Sequence, residues 1–244
     1  MFAERLDRAR AAMAERGVDV LLVSVGADLP WLCGYEAMPL ERLTLLIVPR
    51  EGDARLLVPF LEAPRVVERP GVFEMVTWRD GEDPVALASG LIGAAGTAAI
   101  GDQTWAGFLV DLTSAMPGTI FSRASEITAP LRMVKDATEV DALRRAATAV
   151  DRILADVQAG NVALAGRTEA AVAAEIAQRI LDEGHRKVNF TIVASGPNAA
   201  SPHHEAADRV IRDGEGVLFD IGGTMDGADG VGYCSDITRC VHLG

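Results

Sequence analysis

Two carboxylates embedded in apolar runs constrain this chain more than any other feature. Asp220 lies within Val217-Leu218-Phe219-Asp220-Ile221, and Asp236 within Tyr233-Cys234-Ser235-Asp236-Ile237-Thr238-Arg239. A carboxylate is costly to bury in a strand unless a cation or a hydrogen-bond network satisfies it. The two runs are joined by a glycine-rich turn from Gly222 to Gly232, so they are expected to form a hairpin that presents paired oxygen ligands to a metal. Side chains alternate along strands, and both aspartates share one face if the register pairs them. Hard divalent cations favour carboxylate oxygen, and two neighbouring ions need carboxylates that bridge or chelate. The bland alternatives are a strand-end turn at Asp220, just before Gly222-Gly223, and an ion pair between Asp236 and Arg239.

Composition narrows the remaining classes. A chain of 244 residues with 49% hydrophobic and 24% charged content can bury the core of one large or two ordinary domains. No apolar run is long enough to cross a bilayer, and the charged start Met1-Phe2-Ala3-Glu4-Arg5 has no secretory core, so a cytoplasmic protein is expected. The net charge of −12 argues against nucleic acid or an anionic membrane as partner. Cys33, Cys234 and Cys240 lack CxxC spacing, and Cys234 and Cys240 read as small buried thiols of the last strand region.

Hydrophobic periodicity divides the chain into two α/β units, 1–131 and 132–244. In the first, Phe2 to Arg16 has a helical stripe ended by Gly17. Val18 to Val25, Leu43 to Val48, Arg55 to Val58, Phe73 to Trp78 and Thr97 to Gly101 read as strands, with a helix from Pro84 to Ile92. The second opens with a capping box, Asp136 to Glu139, and a helix whose stripe is Val140, Leu143, Ala147, Val150 and Leu154. Thr168 caps another helix facing inward through Val172, Ile176 and Ile180. A strand from Val188 to Ala194 then precedes the hairpin.

Between that strand and the hairpin lies Ser195-Gly196-Pro197-Asn198-Ala199-Ala200-Ser201-Pro202-His203-His204, a loop of the kind that holds histidines over a cleft. Either histidine could move a proton or hold substrate, against the alternative of an exposed surface pair. His185 and His242 read as structural. Asp226 to Gly230 reads as a solvated turn, since its spacing is not that of a calcium loop.

Four segments together resemble a known family: Trp31-Leu32-Cys33-Gly34-Tyr35, Met133-Val134-Lys135-Asp136 with Glu139, Gly196-Pro197-Asn198 with Pro202-His203-His204, and Phe219-Asp220-Ile221-Gly222-Gly223 with Tyr233 to Arg239. In this they are similar to the Xaa-Pro peptidases of the aminopeptidase P and prolidase type. The resemblance implies an α/β (α+β) fold with a creatinase-like N-terminal domain and then the first half of a pita-bread metallopeptidase domain. It implies two divalent ions, Mn²⁺ ahead of Co²⁺ or Zn²⁺, that activate a water to attack the bond before proline in a peptide substrate. By the same likeness Asp220 and Asp236 are metal ligands, Asp236 the bridging one. His203 assists proton transfer, His204 is a weaker substrate contact, and a homodimer is expected.

The sequence departs from that pattern in two respects. The hairpin loop is longer by about five residues, through Ala228 to Gly232, an insertion that can leave the strands in register. The family also takes a ligand histidine, two ligand glutamates and another catalytic histidine from a second half that the 244 residues do not contain, so the chain alone is expected to be inactive. The alternatives are a non-catalytic binding or dimerisation module of the same fold, and a creatinase-type C–N hydrolase that works without metal.

Overall fold

The computed structural model describes residues 1–244, which divide into two compact units, Met1–Val134 and Lys135–Gly244. In the first, α1 (Phe2–Arg16) buries Phe2, Leu6, Ala9 and Met13 along one stripe and stops at Gly17. The φ of 67° there lets the Gly17 N–H reach back to the Ala14 carbonyl. The next strand, β1 (Val20–Val23), is buried on both faces, which accounts for its unbroken apolar sequence. It is followed by α2 (Asp28–Cys33), β2 (Leu45–Pro49), β3 (Arg55–Pro59), β4 (Glu74–Trp78), α3 (Pro84–Ile92), β5 (Thr97–Ile100), α4 (Ala106–Ala115), β6 (Ile120–Arg123) and α5 (Ser125–Met133).

The six strands form one mixed sheet in the order β4-β3-β2-β1-β5-β6. Alternation along β1 splits the core in two: Leu21 and Val23 pack with Leu6, Met13, Leu29 and Ile127, while Val20 and Leu22 pack with Ala88 and Leu112. The Trp31–Tyr35 segment is held by a buried arginine. Arg5 Nη1 donates to the Trp31 carbonyl at 3.1 Å, and its guanidinium lies 5.6 Å and 5.3 Å from the Phe2 and Trp31 ring centres. The helix α4 escapes a reading by periodicity because only Leu112 of its ten residues is buried, and one residue makes no stripe.

The second unit begins with α6 (Ala137–Gln158), whose capping box is closed by Asp136 and Glu139. Its buried row runs through Ala142, Ala146, Ala149, Val150, Ile153, Leu154 and Val157. The expected stripe holds at Val150 and Leu154 and is corrected at Val140, which is 39% exposed, and at Ala147, which is also outside, because the alanine row lets the helix approach closely. After it, α7 (Glu169–Asp182), capped by Thr168, buries Val172, Ile176 and Ile180 completely. Next come β7 (Lys187–Ser195), β8 (Gly216–Asp226), β9 (Gly232–Cys234) and β10 (Ile237–His242), an antiparallel sheet in the order β10-β8-β7 with β9 paired to the far end of β8. No helix in either unit is long and apolar enough to cross a membrane.

The hairpin differs from expectation in one useful respect. Gly222 and Gly223 lie inside β8, which runs on to Asp226, and the turn is confined to Gly227–Val231. Asp229 closes that turn, accepting from the Val231 N–H and the Tyr233 hydroxyl, each at 3.0 Å. Of the Asp226–Gly230 stretch, Asp226 ends β8 and Gly227 to Gly230 form the turn. The reading of Cys234 and Cys240 as buried is overturned: both are exposed, on the strand face away from the helices, whereas burial pushes the Cys33 thiol up to about 12.

On the helix side of β8, Val217, Phe219 and Ile221 are all fully buried. Phe219→Ala should cost about 3–5 kcal/mol, read as a lower urea midpoint. Just before β8, Arg209 forms two hydrogen bonds to Glu215, at 2.9 and 2.6 Å, and these hold the Glu215 carboxyl at about 2 against an ordinary value of 4.5. A depressed carboxyl value stabilises the fold above the unfolded value, and that contribution is lost as pH falls through the folded one. Acid unfolding of Glu215→Gln should therefore be shallower than that of the parent between pH 4.5 and about 2.

Candidate metal centre

Asp220 stands in the middle of β8, opposite Thr238 on β10 and Ile192 on β7. The Thr238 hydroxyl donates to Asp220 Oδ1 at 2.9 Å. One donor leaves most of the acceptor sites of a carboxylate free. Asp236 lies in the short break between β9 and β10 and is exposed. A single register spans that break: Thr224 pairs with Cys234 before it, and Ile221 with Ile237 after it. Asp236 therefore falls opposite Gly222, on the same face as Asp220 and diagonal to it, with a spacing of roughly 7 Å for such neighbours. The long turn has not shifted the strands.

Both bland alternatives for these aspartates fail. Asp220 is inside a strand and forms no turn. Arg239 does not pair with Asp236; it lies 3.9 Å from Asp151 and donates to the Thr238 carbonyl.

Two glycines and a histidine shape the break that carries Asp236. A Cβ on Gly222 would come within 2.3 Å of the Ser235 carbonyl oxygen and 2.9 Å of the Phe190 ring, so the backbone at Ser235 approaches as only glycine allows. The Gly223 N–H donates to Ser235 Oγ at 3.1 Å, and the Ser235 N–H donates to the Gly223 carbonyl at 2.9 Å. His185 is buried and bridges Ser235 Oγ, 2.9 Å from Nε2, to the Ile180 carbonyl, 3.2 Å from Nδ1. Burial pushes its imidazole below the ordinary histidine range. His185 is a structural histidine that ties the end of α7 to this break, and His242 is exposed at the end of β10.

The loop after β7 is organised by a residue that the sequence did not single out. Glu169, in the first turn of α7, is fully buried. Its Oε1 accepts from the Ser195 N–H and hydroxyl, both at 2.7 Å, and its Oε2 lies 2.7 Å from His204 Nε2. Asn198 Nδ2 donates to both oxygens, at 3.2 and 3.1 Å. Burial alone would raise this carboxyl, but the hydrogen bonds from Ser195, His204 and Asn198 together hold it below the ordinary glutamate range. Arg209 Nη1 adds a bond of 2.8 Å to Ser195 Oγ. His203, by contrast, is exposed. A glutamate just after an N-cap threonine looks like an ordinary helix-start acid, so no local signal distinguishes it.

The donors suit a hard divalent ion in type: two carboxylates on one sheet face, with acceptor capacity to spare. They do not close a coordination sphere alone, since no group of three His, Cys, Asp or Glu side chains is gathered anywhere in the chain.

Comparison with known proteins gives this geometry its context. Residues 5–134 match the creatinase/prolidase N-terminal domain, and residues 141–244 match metallopeptidase family M24. A probable dipeptidase PepE of Mycobacterium tuberculosis is 41% identical over 248 residues, an alignment covering all of this chain and 64% of that protein. The chain thus spans about two thirds of the length of the curated relatives it matches. The crystal structure of dipeptidase PepE from Mycobacterium ulcerans superposes with a TM-score of 0.86 at 41% identity, covering 100% of this chain and 65% of that one. A prolidase from Thermococcus sibiricus gives 0.89 at 32% identity, covering 100% and 66%. The α/β architecture is accordingly a creatinase-type N-terminal domain followed by part of a pita-bread domain. With the creatinase/prolidase N-terminal domain matched over residues 5–134 and a segment of metallopeptidase family M24 matched over 141–244, the chain belongs to the creatinase/prolidase family.

Proposed function

We propose that this chain supplies the N-terminal domain, over 1–131, and the first carboxylates of the catalytic domain, over 132–244, of a cytoplasmic, homodimeric Xaa-Pro dipeptidase. The observation that carries the reading is the diagonal placement of Asp220 and Asp236 on one face of a hairpin whose other face is core. Relatives named dipeptidase and prolidase support the substrate class, a peptide with proline after the scissile bond. Mn²⁺ is the proposed metal, with Co²⁺ and Zn²⁺ as alternatives of the same ligand chemistry.

Bound divalent ions would supply an activated water and a Lewis acid at the scissile carbonyl. Asp220 and Asp236 would contribute carboxylate oxygens to hold them. Thr238, by donating to Asp220 Oδ1, orients that carboxylate and leaves Oδ2 open. Gly222 and the His185–Ser235 contact fix the backbone from which Asp236 projects. In this reading His203 contacts the substrate and passes a proton, while His204 contributes through the loop it anchors.

The reading is tested by Mn²⁺ titration and by hydrolysis of Ala-Pro in the enzyme containing this chain. Asp236→Asn should abolish most Mn²⁺ binding and lower cleavage by more than about 10²-fold, since losing a direct ligand exceeds the roughly 10–100-fold cost of disturbing an outer partner. Undiminished binding and cleavage in that variant, or equal turnover of Ala-Ala and Ala-Pro, would overturn it. A second check uses the glycines. Gly222→Ala should cost about 1–3 kcal/mol and weaken Mn²⁺ binding, because its Cβ meets the Ser235 carbonyl. Gly216→Ala, whose Cβ meets nothing within 4 Å, should leave both unchanged.

A further inference from the structure

We infer that Glu169 is a positioning residue: through Ser195, Asn198 and His204, its carboxylate holds the loop that carries His203 in the direction the reaction requires. The inference rests on the peptidase reading above and adds a residue that neither the motif nor the family match assigns.

The helix does not need this carboxylate. Thr168 already caps α7, accepting from the Ala171 N–H at 3.1 Å. The Glu169 N–H has its own acceptor, the Arg209 carbonyl at 3.0 Å. A glutamate at a helix start ordinarily faces water, where it complements the helix dipole at little cost. This one is completely buried, in a place where an ionised group is unfavourable unless several donors meet it. Donors do meet it: the Ser195 N–H and hydroxyl, the Asn198 amide and the His204 imidazole. An ionised carboxylate accepts from all of them, whereas a glutamine in its place would turn an NH₂ group against at least one.

Those contacts pin the loop at its start, its middle and its end, and they come from a helix rather than from the loop itself. The loop has little freedom to find another path. A Cβ on Gly196, whose φ is 51°, would come within 2.8 Å of Arg209 Nη2. Arg209 in turn is clamped by Glu215. His203 is the exposed residue immediately before the last pin, so the His204 contact sets the base from which its imidazole projects. Because the carboxylate accepts at Nε2, His204 carries its proton there and is committed to an anchoring role. The two adjacent histidines thereby divide the work, one anchored and one free to meet substrate.

The test compares the parent with Glu169→Gln, Glu169→Asp and His204→Ala in the enzyme containing this chain. The readouts are imidazole ¹⁵N shifts and relaxation, Mn²⁺ affinity, and kinetics on Ala-Pro. The parent should show His204 in a single tautomer protonated at Nε2. Glu169→Gln should lose that signature, increase His203 mobility and lower kcat/KM by about 10²-fold, the scale of a misplacement near 1 Å. Its Mn²⁺ affinity should stay that of the parent, and Glu169→Asp should recover part of the loss. If Glu169→Gln does not fold, His204→Ala, altering a side chain 16% exposed, should give the same mobile His203 and kinetic loss. A folded variant with parental His203 relaxation and parental kinetics would overturn the inference. Should the parent itself fail to cleave Ala-Pro, the peptidase reading falls, while the tautomer and relaxation measurements still decide whether Glu169 and His204 hold the loop.

Discussion

The strict alternation of side chains along β8 is the constraint on which the second unit depends. Val217, Phe219 and Ile221 point into the core beneath α6 and α7, and the residues between them are thereby directed to the opposite face. Asp220 is on that opposite face because its neighbours are core. A slip of one residue would bury the carboxylate and expose Phe219, so the apolar side enforces the register that the polar side uses. The same register holds on both sides of the break at Ser235–Asp236, and it makes a longer turn harmless.

Close approach performs the finer adjustment. Gly222 and Gly223 do not make the turn; they make room within the strand for the Ser235 backbone, for Phe190 and for His185. Asp236 leaves the ladder for a moment at that point without losing its place in it. The buried His185 joins this break to the end of α7, while Glu169 joins the histidine loop to the beginning of the same helix. One helix thus braces both polar segments of the site from its two ends.

The family match and this geometry bear on different questions. The match covers most of both units and identifies what kind of chain this is. The geometry separates residues that look alike in the sequence: an anchored histidine from an exposed one, and a strand aspartate from the turn-closing Asp229.

From the sequence alone, five of the six strands of the first sheet, the Asp136–Glu139 capping box and the two aspartates set in apolar runs could be read, because each rests on local spacing or on an unusual residue in an apolar run. Those signals decay over a few residues, and they sufficed for α3 and for the inward face of α7. On α6, Val150 and Leu154 are legible as core, but the buried alanines beside them are not, since alanine carries little hydrophobic signal yet buries where the sheet comes near. Cys234 and Cys240 were misread because apolar character says nothing about which side of a strand is covered. Glu169 was invisible, since its partners are 26 to 35 residues away and only folding brings them together. What the sequence determined was which groups could act. Which of them are held in place was decided by the tertiary structure, because burial and convergent hydrogen bonding are properties of distant segments brought into contact.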